Sequence, residues 1–139
     1  MRTPDVGLAE RSPPYDPRTG RHIRLGRRGE DAAERHLVSA GYRILERRYR
    51  TRFAEIDLIA EDGDTLVFIE VKTRSSLSFG RPAEAVDGRK RARIAGAASV
   101  YLARRAALDR ACRFDVVEVL ETEGAPLRVR VIRDAFEVR

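Results

Sequence analysis

Two apolar stretches joined by a turn, each carrying charge where a buried strand should carry none, constrain this chain most. The first runs from Phe53 to Ala60 and the second from Leu66 to Val71, with Asp62-Gly63 between them. Both are rich in Ile, Val, Leu and Phe, and Asp-Gly between such runs marks a hairpin. With Asp62 and Gly63 as the turn, Glu61 faces Asp64, Asp57 faces Phe68 and Glu55 faces Glu70. Paired residues share a face that recurs every second residue. Glu55, Asp57, Glu70 and Lys72 therefore project from one side, with Asp57 and Glu70 as diagonal neighbours ~7–8 Å apart. Two carboxylates at that spacing can share one divalent ion.

Burying unpaired charge is costly. Ile56, Leu58 and Ile59 surround Asp57, and Val67, Phe68, Ile69 and Val71 surround Glu70 and Lys72. Three carboxylates and one lysine do not neutralise themselves, and a bound cation resolves the excess. Hard oxygen donors favour Mg²⁺ or Mn²⁺ over zinc. The alternative is a solvated sheet face of salt bridges, against which the apolar neighbours speak.

The charge distribution points the same way. Of 28 basic residues, all but Lys72 and Lys90 are arginine, and 22 acids leave a net charge of +6. Residues 51–88 hold 4 basic and 8 acidic side chains, whereas residues 89–113 hold 8 and 1. Residues 1–50 are basic as well. Basic blocks fit a polyanion such as nucleic acid, and an acidic centre between them repels phosphate unless a cation intervenes. Plain solvation of exposed faces is the competing account. A rare lysine two residues after Glu70 stands out here, because an ammonium is a compact charge with a tunable pKa and a guanidinium is neither.

The length, 139 residues, suits one domain. Met1 to about Gly20 holds Pro4, Pro13, Pro14 and Pro17 with few large apolar residues, and reads as a disordered basic tail before a single domain over residues 21–139. No apolar run approaches the ~20 residues of a membrane helix, and no apolar leader is present. The one cysteine, Cys112, excludes a disulfide framework and reads as a small buried residue. A cytoplasmic setting is the expectation. A helix is expected over Ile23 to Ala40, ended by Gly41, and a strand over Tyr42 to Tyr49. After the hairpin come a long helix from Glu84 to about Ala107 and two closing strands, Phe114 to Leu120 and Leu127 to Ile132. The order α-β-β-β-α-β-β predicts an α/β fold, a mixed sheet with helices packed on it.

Glu55-Ile56-Asp57-Leu58-Ile59-Ala60 followed by Phe68-Ile69-Glu70-Val71-Lys72 resembles the PD-(D/E)xK nuclease signature. More closely, the chain resembles the YraN family of predicted bacterial endonucleases. That resemblance runs from about Leu25 to Val119. It includes Gly26-Arg27-Arg28-Gly29-Glu30, Gly41-Tyr42-Arg43-Ile44-Leu45, Phe79-Gly80-Arg81-Pro82, Glu84-Ala85-Val86, Lys90, Tyr101-Leu102 and Arg113-Phe114-Asp115-Val116-Val117. It implies a restriction-endonuclease-like mixed central sheet flanked by helices, similar to archaeal Holliday-junction resolvases. It further implies metal-dependent hydrolysis of DNA, on branched or repair intermediates. Asp57 and Glu70, with the carbonyl of Val71, would hold Mg²⁺ or Mn²⁺, and Lys72 would position the attacking water. Glu30 takes the first-helix acid position of those resolvases, as a metal ligand through water or as a helix N-terminal acid. Glu55 either tunes the site or caps a strand. Ala54 stands where the family usually has glycine.

Arg89, Lys90, Arg91 and Arg93 open the second helix. Lys90 lies in helical spacing with Ile94, Ala97 and Tyr101, which makes it a candidate phosphate contact above an inward stripe; Tyr101 itself reads as core. Arg27, Arg28, Arg74, Arg89, Arg91 and Arg93 are candidate grips on nucleic-acid backbone, DNA first. Phe79 to Pro82 reads as a loop over the site or as a structural turn. His22 and His36 read as structural or exposed, not as metal ligands. A homodimer is an expectation by analogy with the resolvases. Two other functions compete with cleavage: a non-catalytic nucleic-acid-binding module, and an interaction subunit of a DNA-processing assembly.

Overall fold

A computed structural model describes the backbone of residues 20–75 and 88–136 and the side chains of residues 28–74 and 88–136. The expected tail up to residue 19, the Phe79–Pro82 loop and Glu84–Val86 lie outside the described residues, as do the His22 and Arg27 side chains. Seven elements follow in the expected order: α1 (Gly20–Ser39), β1 (Arg43–Arg50), β2 (Glu55–Asp62), β3 (Thr65–Ser75), α2 (Gly88–Arg104), β4 (Cys112–Glu121) and β5 (Arg128–Ile132). The strands form one sheet in sequence order, β1-β2-β3-β4-β5. Only β3 and β4 run parallel. A parallel pair needs a crossover, and α2 lies in it.

Each helix buries one stripe against one face of the sheet. Ala32, Ala33 and Leu37 of α1 pack on Leu58, Ala60, Val67, Ile69, Val117 and Val119. Ala97, Ala98 and Tyr101 of α2 pack on Ile59, Leu66 and Phe68, and Ile94 packs on Val116 and Phe136. Tyr101, core as expected, meets Tyr49 and Phe68 edge-on at 5.1 and 6.1 Å. None of the described helices is long and apolar enough to cross a membrane.

Three expectations shift. The hairpin turn is Gly63-Asp64, because Asp62 pairs with Thr65 and Leu58 with Ile69. Gly63 alone has positive φ in the turn, 62°, and occupies its first central place. An Asp-Gly-Asp run does not itself say whether the glycine comes first or second. The later helix ends at Arg104, short of Ala107. Ala107 N donates to Leu102 O at 2.9 Å and Ala106 N to Ala103 O at 3.2 Å, with Ala106 at φ 54°. That closure has the form a glycine usually makes, and no glycine announces it. Cys112 is exposed at the start of β4, where its thiol donates to Arg110 O.

Candidate active site

The sheet forks at its centre. The ladder between β2 and β3 runs from Asp62↔Thr65 to Leu58↔Ile69, while β3 continues beside β4 as far as Ser75↔Glu121. Past the fork, Val71 N–H donates to the Asp57 carboxylate at 2.8 Å. Asp57 lies just beyond the last paired residue of that ladder, Leu58, and the Glu70 charge acts on its carboxyl across the fork.

Alternation breaks at the same place. Ile56 and Ile59 pack under α2, while Leu58 packs under α1. Strict period two would put Ile56 with Leu58. On the neighbouring strand, Arg48 lies between the pairs Arg47↔Leu58 and Tyr49↔Ile56, and its φ is 50°. This is a left-handed conformation uncommon for a long side chain. It lets Arg48 reach Glu30 on α1 at 2.6 Å.

Glu30 is brought in by close packing. A Cβ on the buried Gly29 would lie 1.9 Å from Thr73 Oγ1 on β3. Glycine therefore allows α1 to rest on the strand that carries Glu70 and Lys72. Gly29→Ala should force helix and strand apart and cost about 1–3 kcal/mol. Thermal melts check this: the loss should shrink when Thr73→Ala is added, and equal losses with and without that change would refute the contact.

Charge gathers around the fork. Glu70 is buried, 8% exposed. Its Oε2 accepts from Lys90 Nζ at 2.5 Å and lies 3.8 Å from Lys72 Nζ. Burial and the Glu70 charge push the Asp57 carboxyl up to about 8. The Val71 hydrogen bond and the Lys90 charge oppose the shift, and the Glu30 charge adds to it. Burial and the neighbouring Lys90 charge hold the Lys72 ammonium below its ordinary pKa, against the pull of Glu70. Burial also lowers Lys90, but its bond to Glu70 outweighs this and leaves it above the usual lysine value. A buried carboxylate beside a half-buried one needs positive charge, and here two ammonium groups approach one Glu70 oxygen.

Other expected residues go elsewhere. Glu55 pairs with Arg50 at 3.3 Å, away from Glu70. Arg28 reaches Glu121 at 3.0 Å. Arg91 lies over the Phe136 ring at 5.3 Å. Arg89 and Arg93 are exposed on α2. Arg74 is turned toward Glu118, 3.3 Å away. Sequence reading passed over two buried acids, Asp115 and Glu118, which are 0% and 3% exposed. Both sit in an apolar strand, the same signal that singled out Asp57 and Glu70. Among the described residues, no three His, Cys, Asp or Glu side chains converge as a metal-binding group.

The chain's sequence matches the profile of the "Uncharacterised protein family UPF0102" over residues 29–119. Close relatives include the UPF0102 protein of Moorella thermoacetica, 52% identical over 114 residues, covering 81% of this chain and 95% of the relative. That of Symbiobacterium thermophilum is 51% identical over 113 residues, 81% of this chain and 96% of the relative. That of Syntrophus aciditrophicus is 48% identical over 122 residues, 87% of this chain and 94% of the relative.

Proposed function

The chain belongs to the UPF0102, or YraN, family, and from that premise we propose that it is a metal-dependent endonuclease that hydrolyses phosphodiester bonds in DNA. The observation that carries this reading is the Asp57–Glu70 pair at the fork of the sheet, with the Asp57 carboxyl pushed up to about 8. A fold that merely needed stability would not keep two neighbouring carboxylates there. Their chemistry suits a hard cation. Asp57, Glu70 and the Val71 carbonyl would hold it, and Mg²⁺ usually takes one or two carboxylates with waters and substrate phosphates. When bound, the ion polarises a phosphodiester oxygen and lowers the pKa of water.

The chain's own groups supply the rest. Lys72 Nζ, held below its ordinary pKa, gives up its proton more readily than an exposed lysine. On this reading it would orient an attacking water and, once deprotonated, accept a proton from it. Lys90 Nζ neutralises Glu70 and would contact the substrate phosphate beside it. Exposed Arg89 and Arg93 sit on the same helix and attract the polyanion.

The test incubates purified protein with linear, flapped and four-way DNA in Mg²⁺, Mn²⁺ or EDTA. Asp57→Ala, Glu70→Ala and Lys72→Ala run alongside. Cleavage should need the metal and fall at least about a hundredfold in each variant. Salt-sensitive binding with no cleavage in either metal would replace this reading with a non-catalytic binding module. Equal cleavage by wild type and variants would mean a contaminating nuclease.

A further inference from the structure

Glu118 is a charged residue sunk to 3% exposure that the proposed chemistry leaves unused. Register gives it a place. Lys72 on β3 stands level with Glu118 on β4, and Glu118 stands level with Arg130 on β5. Level positions in neighbouring strands share a face. Lys72, Glu118 and Arg130 therefore form one row across three strands, starting at the candidate active site and ending at the sheet edge.

The row is held by two arginines on one carboxylate. Arg130 Nη2 donates to Glu118 Oε1 at 2.8 Å. Arg74 Nε lies 3.3 Å from Glu118 Oε2, yet is buried and makes no hydrogen bond. The Arg74 side chain is 21% exposed and the Arg130 side chain 60%. Arg74 alone would balance the buried Glu118 charge. The second guanidinium leaves a surplus positive charge, and that charge sits on the exposed partner. A guanidinium presents a planar fork of donors suited to phosphate. One edge is already held by Glu118, so less freedom is lost on binding than for an untethered arginine.

We propose that Arg130, oriented by the buried Glu118, anchors a backbone phosphate of the nucleic-acid strand being cleaved. The proposal rests on the nuclease reading and adds a strand path to it. Strands about 4.8 Å apart put Arg130 roughly 10 Å from Lys72 along the row. A strand of DNA rises ~3.4 Å per nucleotide along the duplex axis and its phosphates lie farther apart than that, so the anchored phosphate lies at most about three nucleotides from the hydrolysed one. Glu118 acts through Arg130 and is a positioning residue.

Binding of the full chain to fluorescein-labelled DNA is measured by anisotropy across a salt series, with metal present. Arg130→Gln should weaken binding roughly three- to tenfold and reduce the salt slope by about one. The change also removes the hydrogen bond to the buried Glu118, so binding is compared well below the melting temperature of each protein. Arg130→Lys should keep the slope, because the charge at the phosphate remains. Methylphosphonate linkages one to three nucleotides from the cleaved bond should weaken wild-type binding and weaken Arg130→Gln no further. An unchanged slope in Arg130→Gln, or additive losses with the methylphosphonates, overturns the anchor while wild-type cleavage leaves the nuclease reading standing. No binding by wild type overturns both.

Discussion

Asp57→Asn should abolish cleavage and at the same time raise the melting temperature of the metal-free protein above pH 8. The folded chain holds the Asp57 proton up to about pH 8, against an ordinary value of 3.8. Between those values the folded state binds more protons than the unfolded state. Stability therefore falls as pH rises through that window, and levels off above it. The loss is on the order of a few kcal/mol. Asparagine cannot ionise, yet its side-chain oxygen can still accept the Val71 N–H. It removes the slope and keeps the bond. The gain should be on the order of 5 °C or more. Melts of both proteins from acid to alkaline pH, with EDTA, check it. Parallel pH profiles for wild type and Asp57→Asn would show that Asp57 is not the strained group. In the wild type, added Mg²⁺ or Mn²⁺ should raise the melting temperature more at alkaline than at acid pH, because metal and proton compete for the same oxygens.

Asp115→Ala should be the most damaging single change for folding. The Asp115 side chain is fully buried and accepts four bonds. They come from Tyr42 OH at 3.2 Å, Arg113 Nε at 2.9 Å, Arg113 Nη2 at 3.0 Å and Asp134 N at 2.9 Å. Arg113 Nη2 also reaches Asp62 at 3.0 Å and donates to Tyr42 OH at 2.8 Å. One carboxylate thus joins the end of α1, the hairpin of β2 and the turn after β5. The bonds to Asp115 and Asp62 hold the Arg113 guanidinium above its usual pKa, and burial together with the Asp115 charge pushes the Tyr42 hydroxyl up. Removing the acid strands a partly buried guanidinium and an amide, at a cost of about 3–5 kcal/mol. For a chain of this size that is a fall of roughly 10–20 °C. Pairing Asp115→Leu with Arg113→Met should be milder than Asp115→Ala alone. A melt of Asp115→Ala within a few degrees of wild type would refute the network's importance. The Arg113-Phe114-Asp115 run that resembles the family is on this account a fold determinant.

Much of the architecture was legible because it is local. Alternating or continuous apolar runs marked all five strands, and Ala32, Ala33 and Leu37 marked the buried stripe of α1. The acids Asp57 and Glu70 were legible for a related reason: they interrupt strands whose neighbours are too apolar for a solvated face. The end of α2 was not legible, because Ala106 adopts a left-handed φ that its type does not advertise. The break at Asp57 was equally hidden. It lies across from Arg48, whose left-handed φ its type does not advertise.

The sequence by itself determined the order of elements, the apolar faces and the acids that interrupt them, since period and composition act over a few residues. The tertiary structure alone decided which charges meet. Lys90 lands on Glu70 because α2 crosses the sheet to make β4 parallel to β3. Arg74 turns to Glu118 while Arg130 keeps its exposure, because β4 and β5 pair in one register and no other. The arginines look alike along the chain, and what separates Arg74, Arg113 and Arg130 is the partner that long-range strand pairing puts beside each.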